Sequence, residues 1–318
     1  HKTDGWHAAA PETLKITPAI TAEYGAPVTA HEVFKPVTVT TAPDGETIYD
    51  FGQNFAGVIR ITLQGSAGQV ITVRHAEILK PDGTLNTTFL RSAKATAAYT
   101  CRDGKQTYSP RFTYMGFRYA GIKGVKPEDV EVEAVALYSD VAHAGAFHCS
   151  NELLNQLQSN ITWSAKSNFV DIPTDCPQRD ERMGWTGDIN VFAPTALYNF
   201  ELSRFLEKWL RDVKAEQRPG GDIPNTVPVQ GYGFPATMPE MAVDWWGDAC
   251  VNVPWALYEA TGSVDILRTM YPTMQKYVKA CRFWAGFGIG KHRYIWHTPS
   301  VLHFGDWVAP DVPKMSQW

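Results

Sequence analysis

Residues 171–188, with the sequence DIPTDCPQRDERMGWTGD, decide the fold of this chain. The stretch holds four Asp, one Glu and two Arg, and two prolines and two glycines interrupt it. We therefore expect a loop rather than one continuous helix. The sequence turns largely apolar from Ile189 to Tyr198 and predicts a helix there, with Thr186 or Asp188 as its N-cap. Because catalytic groups concentrate on loops that a rigid scaffold supports, this loop is the candidate functional site.

Length and composition indicate a folded protein of about two domains. The chain has 318 residues, of which 44% are hydrophobic and 19% charged, so it is not an intrinsically disordered protein. Its net charge is −4 and no basic block stands out, which argues against nucleic acid or a membrane surface as a partner. No run approaches the roughly 18 apolar residues of a membrane span. No compartment is favoured, and cytoplasmic, periplasmic and secreted locations all fit.

Cysteine and histidine spacing predicts neither a disulfide framework nor a metal site. The five cysteines are an odd number, lie far apart and form no CxxC pair. The histidines form no HExxH pattern or other paired-ligand spacing. We therefore expect no metal and no cofactor. The cysteines are Cys101, Cys149, Cys176, Cys250 and Cys281.

From about residue 46 onward, apolar residues alternate with polar ones, which predicts β-strands. The alternation is clearest in residues 58–63 and 130–135, and Gly-rich turn signals separate such runs. We expect an antiparallel β-sandwich at 46–147, preceded at 1–45 by an irregular lead-in with the first strands. The side chains predicted to face the core are Ile59, Ile61, Leu63, Val130, Val132 and Ala134.

At about residue 148 the apolar spacing changes to that of helices. Ser150 is the predicted N-cap of the first helix, and Pro272 is expected to break the last one. Helices joined by long loops suggest an α/α array whose loops build a site at one end. Beyond the helix that follows Asp188, helices are predicted at about 201–217, 246–260 and 263–285. The first helix should bury Leu153, Leu154, Leu157, Ile161 and Trp163, and the third Leu202, Phe205, Leu206, Trp209, Leu210 and Val213.

Glu181 is the strongest candidate for a catalytic group. A glycosidase needs a carboxylic acid that keeps its proton near neutral pH and gives it to the leaving oxygen. Nearby carboxylates such as Asp175 and Asp188 favour the protonated form of such a group, whereas Arg179 or Arg182 would oppose it by pairing with Glu181. The same spacing also suits a network of ion pairs with no catalytic role.

The neighbours of Glu181 carry groups that bind sugars. The carboxylates of Asp175 and Asp188 can each accept two or more hydrogen bonds from hydroxyls, and Arg179 can donate a fork of them. The indole of Trp185 can stack on a sugar ring. Helix capping by Asp188 and core packing by Trp185 are the alternatives. Two later clusters repeat the combination of Trp, Asp and Gly, at 244–248 and 305–307.

Residues 175–188 resemble the signature of the bacterial α-L-rhamnosidases of glycoside hydrolase family 78. The likeness extends over about residues 45–312 and keeps the order of the family's segments. The further segments that carry it are DFGQNFAG at 50–57, RHAE at 74–77, FTYMGFRY at 112–119, WGDA at 246–249 and GDWVAP at 305–310.

The resemblance implies an antiparallel β-sandwich followed by an (α/α)6 toroid that carries the catalytic site. It implies an inverting glycosidase that releases terminal α-L-rhamnose, and its partners would be L-rhamnose-containing glycosides or polysaccharides. Glu181 matches the family's general acid. The positions that match sugar-binding neighbours or aromatic walls are Asp175, Arg179, Trp185, Asp188, Trp246 and Trp307.

The resemblance also implies that residues 148–318 are only the N-terminal part of the helical domain. A closed toroid has twelve helices, whereas five are predicted here, and the family's general base is a Glu well beyond the segment at 305–310. We therefore expect an internal piece of such an enzyme that needs the missing C-terminal half, or an oligomeric partner, for turnover. A non-catalytic carbohydrate-binding fragment is the alternative function.

Overall fold

The computed structural model describes residues 19–230 and 245–286, together with isolated residues near both ends of the chain. The described part is an antiparallel sheet followed by five α-helices. The strands are β1 (Val28–Phe34), β2 (Thr38–Thr41), β3 (Thr47–Gly65), β4 (Val70–Ala76), β5 (Thr96–Thr100), β6 (Gly104–Tyr108), β7 (Met115–Lys123), β8 (Val130–Ser139), β9 (Phe169–Val170) and β10 (Ile172–Pro173). The helices are α1 (Glu152–Asn168), α2 (Thr186–Asn199), α3 (Ser203–Glu216), α4 (Ala249–Thr261) and α5 (Asp265–Ala285).

The long strand β3 organises the sheet, whose strand order is β1-β8-β3-β7-β4-β5. β3 first pairs with β2 and β7 and then with β8 and β6, so the sheet curls around it. The change of partner falls at Gly57, which pairs with both Met115 and Ala136. A Cβ atom on Gly57 would lie 2.2 Å from the carbonyl oxygen of Val135, so this crossing requires glycine.

The predicted alternation of the strands is confirmed. All six side chains that the sequence assigns to the core are at most 9% exposed, and they join one apolar cluster on the inner face of the sheet. The coarse fold class, an antiparallel β-structure followed by helices, is likewise confirmed. The six core side chains are Ile59, Ile61, Leu63, Val130, Val132 and Ala134.

Two local helix predictions are wrong. Asn151, not Ser150, caps α1, because its side chain accepts a hydrogen bond of 3.0 Å from the backbone N–H of Leu153. α5 runs unbroken through Pro272, because buried side chains on both sides of the proline, Met270 and Thr273, hold the helix against the core. The apolar face predicted for α3 is confirmed, since its six residues are all at most 1% exposed.

Helix α1 buries only the C-terminal part of the apolar face that the sequence predicts, where Ile161 and Trp163 are partly buried and Trp163 packs against the core of the sheet. Leu153 is 80% exposed, and Leu154 and Leu157 are about half exposed. The helix instead packs its C-terminal turn on the sheet, where Lys166 makes an ion pair of 2.8 Å with Glu32 of β1. Sheet and helix therefore meet through this ion pair and through the ring of Trp163, which lies next to Phe34 and Phe55. Within the described ranges, no helix is long and apolar enough to cross a membrane.

His75 on β4 is an ionisable group enclosed by the core of the sheet. It is 1% exposed, and its Nδ1 donates a hydrogen bond of 2.8 Å to the carbonyl oxygen of Ala95. Its ring meets the edge of Phe117 at a centroid distance of 4.8 Å. Among the described atoms, Nε2 has no hydrogen-bond partner. This burial lowers the pKa of His75 to about 4, so the imidazole is neutral in the folded protein.

We expect His75 to make the fold sensitive to acid. The unfolded chain takes up a proton near the ordinary pKa of about 6.5, whereas the folded protein takes it up only near pH 4. The free energy of unfolding should therefore fall by about 3 kcal/mol as the pH drops from about 7 to about 4. Urea unfolding at several pH values measures this loss. His75→Asn, which keeps a donor for Ala95, should flatten the pH profile, and the same change at exposed His143 should not. Parallel profiles for all three proteins would contradict the assignment.

Candidate active site

The acidic loop, residues 174–185, connects the short hairpin of β9 and β10 to the first turn of α2. Its two ends are joined through Asp175 and Met183. The backbone N–H of Asp175 donates to the carbonyl of Met183 at 3.0 Å, and the N–H of Met183 donates to Asp175 Oδ1 at 2.9 Å. These two hydrogen bonds close the loop. The predicted loop before a helix is confirmed, because α2 begins only at Thr186.

Arg179 holds the two predicted functional carboxylates together. Its Nη2 lies 2.8 Å from Asp175 Oδ2, and its Nε lies 2.8 Å from Glu181 Oε2. Burial raises the pKa of Asp175, and the negative charge of Glu181 adds to this effect, although hydrogen bonds from Cys176 and Met183 oppose it. The shared guanidinium offsets the repulsion between the two acids and fixes their relative position.

Glu181 accepts hydrogen bonds on both carboxyl oxygens. Trp185 Nε1 donates to Oε1 at 3.0 Å, while Arg179 and Arg91 both donate to Oε2, the latter at 2.9 Å. Of the two arginines whose pairing with Glu181 would oppose an acid role, Arg179 does pair with it, whereas Arg182 donates instead to the carbonyl oxygen of Tyr114 at 2.7 Å. The structure thus brings Asp175, Arg179, Trp185 and Glu181 together in one constellation.

Arg91 is a site residue that the sequence analysis missed. It lies between β4 and β5, 90 residues before Glu181, and no local pattern marks it. Its neighbour Ser92 binds Asp180 through both its backbone N–H and its hydroxyl. The sheet therefore contributes directly to the environment of the candidate acid.

The sheet also supports the acidic loop from behind. Gly116, at the start of β7, lies so close to the loop that a Cβ atom there would stand 2.9 Å from the backbone nitrogen of Gln178. The guanidinium carbon of Arg182 stands 5.0 Å from the ring centre of Tyr114. These contacts hold the acidic loop against the beginning of β7.

The N-terminus of α2 differs from the capping prediction. Trp185 occupies the N-cap without a capping hydrogen bond from its side chain, and Thr186 and Asp188 lie inside the first turn. The first turn is instead held by the loop that follows α3, because the N–H of Thr186 donates to the carbonyl oxygen of Asn225 at 2.9 Å. Tertiary contacts replace the side-chain cap in this place.

Asp188 lies on the wall of an open cavity of about 410 Å³ between α1 and α2. Asp175 lines the same cavity, together with apolar side chains such as Ile189 and Phe192. Asp188 is open to solvent through the mouth of the cavity, but protein atoms surround it on its other sides. Burial, followed by the charge of Asp175, raises its pKa to about 6. This carboxyl therefore titrates close to neutral pH.

Trp246 is packed against the beginning of α2. It is 8% exposed, and its indole lies so close to Gly187 that a Cβ atom there would stand 2.6 Å from the ring. Little of this ring is open to a ligand in the structure. The other predicted aromatic wall residue, Trp307, lies outside the described residues.

One group in the described part of the chain has the composition of a cation site. Ligand atoms of Asp175, Cys176 and Glu181 lie within 4.8 Å of one another. Arg179 already binds both carboxylates, however, and burial raises the pKa of the Cys176 thiol to about 12. The thiol keeps its proton and donates a hydrogen bond to Asp175, so the cluster is built around a guanidinium rather than a metal ion.

Comparison with known proteins gives family matches to both parts of the chain. Residues 142–317 match the family described as the bacterial alpha-L-rhamnosidase 6 hairpin glycosidase domain. Residues 40–138 match the bacterial alpha-L-rhamnosidase concanavalin-like domain. The first of these matches covers more than half of the chain, and it contains the whole acidic loop.

Curated relatives are similar to this chain over most of its length. An alpha-L-rhamnosidase of Streptomyces avermitilis is 38% identical over 97% of the chain and 29% of its own length, and one of Formosa agariphila is 40% identical over 83% and 27%. The crystal structure of the Streptomyces avermitilis enzyme complexed with L-rhamnose superposes with a TM-score of 0.80 at 38% identity, covering 91% of this chain and 27% of that one. The enzyme of Aspergillus terreus gives a TM-score of 0.81 at 38% identity, covering 91% and 33%. The chain spans less than a third of the length of these two curated relatives.

We expect Gly187→Ala to destabilise the protein by about 1–3 kcal/mol, because the added methyl group would overlap the rigid indole of Trp246. Thermal unfolding measures the loss. The matched control is Gly145→Ala, whose new Cβ would have its nearest neighbour at 3.7 Å. Equal melting temperatures for the two variants would show that the indole does not lie on Gly187 in solution.

Asp188 should weaken the fold as its proton is lost. Its pKa in the folded protein, about 6, lies above the ordinary value of about 3.9, so stability should fall as the pH rises from about 4 through 6. The loss should be about 1 kcal/mol once access of solvent is allowed for. Asp188→Asn should remove this decline in urea unfolding, whereas Asp265→Asn, at a side chain 82% exposed on α5, should leave it unchanged. A decline that persists in Asp188→Asn would assign it to another group.

Proposed function

Because the chain belongs to the family of bacterial α-L-rhamnosidases, we propose that it carries the acid half of an inverting glycosidase site that releases terminal L-rhamnose from rhamnosides. The observation that supports this best is that Asp175, Arg179, Trp185 and Glu181 meet in one loop, joined through the guanidinium of Arg179 and the indole of Trp185. We also propose a β-sandwich domain at 46–147 and the first part of an (α/α)6 toroid at 148–318.

In the proposed reaction, Glu181 is the general acid. It gives its proton to the oxygen that joins L-rhamnose to the leaving group, and the bond between that oxygen and the anomeric carbon breaks. A water molecule attacks the anomeric carbon from the opposite face and loses a proton to a general base. The products are L-rhamnose with inverted configuration and the free alcohol or phenol.

The hydrogen bonds of Glu181 support a proposal for the oxygen that would carry the transferred proton. Oε2 accepts from both Arg179 and Arg91, so its two in-plane lone pairs are engaged. Oε1 accepts only the bond from Trp185 among the contacts of the described residues. We therefore assign the transferred proton to Oε1, with the two arginines fixing the other side of the carboxyl group.

Asp175 is not suited to be the general base. An inverting pair of carboxyl groups stands roughly 6.5–9.5 Å apart, which leaves room for a water molecule. Oxygens of Asp175 and Glu181 lie within 4.8 Å of each other, and Asp175 is occupied by Arg179 and the N–H of Met183. We propose that the base is a Glu beyond Trp318, as the family resemblance implies.

We propose that the substrate contacts surround Glu181 within the same loop. Asp175, Arg179 and Asp188 would bind the hydroxyls of L-rhamnose, and the half-buried indole of Trp185 would contact its ring. Arg179 and Asp175 also bind each other, so their geometry is set before the sugar arrives. The further proposed wall residues are Trp246 and Trp307.

Binding and turnover test different parts of this proposal. We expect the chain to bind L-rhamnose in calorimetry, and Arg179→Met to weaken that binding by at least about tenfold because it releases both carboxylates. We expect little or no release of p-nitrophenol from p-nitrophenyl α-L-rhamnoside, because the base is proposed to lie elsewhere. Absence of L-rhamnose binding by the folded chain would contradict the proposed site.

Glu181→Gln identifies the acid if turnover occurs. Any turnover should fall by about 10²–10⁴-fold in this variant. The matched control is Glu152→Gln, on the exposed first turn of α1, which should leave the rate unchanged. Turnover that Glu181→Gln abolishes would place a base within the chain or an oligomeric partner. Sugar binding without turnover is also what a non-catalytic carbohydrate-binding fragment would show.

A further inference from the structure

Another open cavity, of about 250 Å³, lies where the sheet, α1 and the acidic loop meet. Its lining side chains carry amide, hydroxyl or carboxylate groups, with the exception of Trp163 and Pro177. No Lys, Arg or His is among the described residues that line it. This polar cavity therefore offers many hydrogen bonds to a ligand but no positive charge.

The sheet contributes to the polar cavity through two segments that have no part in the proposed function. Segment 50–57 supplies Gln53 and Asn54, and segment 74–77 supplies Glu77. Both segments are among those that carry the family resemblance. The fold brings them together at the junction with α1, although more than twenty residues separate them in the chain.

An irregularity in β3 directs two of these side chains to the cavity. Between its pairings with β7, β3 advances five positions, from 50 to 55, while β7 advances two, from 119 to 117. The surplus forms a bulge that contains Gln53 and Asn54. Arg118 anchors its beginning, because the guanidinium donates two hydrogen bonds of 2.8 Å to the carboxylate of Asp50. Bulges redirect side chains and are common next to functional sites.

Hydrogen bonds within the protein fix the polar groups of the cavity. Asn54 Nδ2 donates to Glu77 Oε1 at 2.9 Å, and Gln53 Nε2 donates to the carbonyl oxygen of Asn54 at 2.7 Å. The second oxygen of Glu77 and the side-chain oxygens of Asn54 and Gln53 can therefore accept hydrogen bonds from a ligand. The buried hydroxyl of Ser167 accepts from the N–H of Ala56 at 3.2 Å and keeps its own proton to donate. Groups that are held in advance lose little freedom on binding.

Trp163 gives the cavity an apolar wall. Its ring packs against Phe34 and Phe55, with centroid distances of 5.6 and 6.2 Å, so the core of the sheet fixes its position. The ammonium of Lys166 stands 4.7 Å from the ring centre of Trp163, but it is paired with Glu32 and does not line the cavity. The cavity thus combines part of an aromatic ring with convergent amides, hydroxyls and one carboxylate.

This combination suits an uncharged sugar unit. Sugar hydroxyls donate and accept hydrogen bonds, which amides and hydroxyls match, and a carboxylate can accept from two neighbouring hydroxyls. An anion such as phosphate would meet Glu77 with no cation in the described lining to balance it. An apolar ligand would leave the polar groups of the cavity unpaired. The volume is below the roughly 300–1,000 Å³ of pockets for drug-sized ligands, which favours a single ring.

We propose that the polar cavity is a second carbohydrate site, which holds one neutral sugar unit of a glycan and takes no part in bond cleavage. It adjoins the cavity that contains Asp188, because Ser164 and Asn168 of α1 line both. Its lining includes neither Glu181 nor Arg179. The inference therefore goes beyond the proposed function and does not rest on it.

The test titrates isotope-labelled protein with L-rhamnose, D-glucose and D-galactose and follows the side-chain amide signals of Gln53, Asn54 and Asn160 by NMR. We expect at least one of these sugars to shift the three signals, with a dissociation constant on the order of 1–10 mM. Glu77→Gln can still accept the hydrogen bond from Asn54 but loses the charge, so it should weaken this binding by about fivefold. The matched control is Glu131→Gln, at an exposed position of β8, which should change nothing.

A second variant blocks the cavity without touching the core. Asn160 is exposed on α1, so Asn160→Leu should fold as the wild type does, remove an amide from the lining and abolish the shifts of Gln53 and Asn54. If none of the three sugars shifts these signals in the wild type, the second site is overturned. Equal shifts in the wild type, Glu77→Gln and Asn160→Leu would overturn it as well.

Arg179→Met separates this inference from the proposed function. It should weaken L-rhamnose binding at the acidic loop and leave the shifts of Asn54 unchanged. Shifts of Asn54 that disappear in Arg179→Met would assign them to the L-rhamnose site and overturn the second one. Shifts of Asn54 in a wild-type chain whose acidic loop binds no L-rhamnose would instead contradict the proposed function and support the second site.

Discussion

The guanidinium of Arg179, held between Asp175 and Glu181, is the interaction on which the candidate site depends. The acidic loop brings carboxyl oxygens within 4.8 Å of each other in a partly buried environment, where like charges repel strongly. Arg179 offsets this repulsion with one hydrogen bond to each acid. Without Arg179, Asp175 would lose its guanidinium partner and Glu181 would keep only Arg91, so the repulsion between the two carboxylates would oppose the present form of the loop.

Residues in the loops of the sheet make further contacts that hold the acidic loop. Arg91 supplies the second guanidinium on Glu181, Ser92 binds Asp180, and Tyr114 accepts from Arg182. These three contacts join residues 68 to 90 positions apart in the chain, so they can form only once the sheet has folded. The β-structure is thus part of the candidate site rather than a separate module beside it. The position of the Glu181 carboxyl group depends on contacts from both the sheet side and the acidic loop.

The sequence analysis succeeded where local patterns carry the information and failed where tertiary contacts decide. Alternation identified Ile59 and Val132 as core residues, and the composition of residues 171–188 identified the loop, because both are local properties. Arg91 could not be found, because a contact 90 residues away leaves no periodic signal. The exposure of Leu153 could not be predicted either, since helical spacing shows which face is apolar but not whether a neighbour covers it.

Two strained residues, one before the acidic loop and one within it, show how the site is held. Asp171 and Arg182 have φ values of 67° and 52°, in the left-handed region that non-glycine residues rarely adopt. Each is fixed by a contact to the sheet: the N–H of Asp171 donates to Ser139 Oγ at 2.9 Å, and Arg182 binds Tyr114. Such conformations persist only where the surroundings over-determine them. These two contacts come from the sheet and not from the helices, so the sheet helps to hold the loop that carries Glu181, the proposed acid.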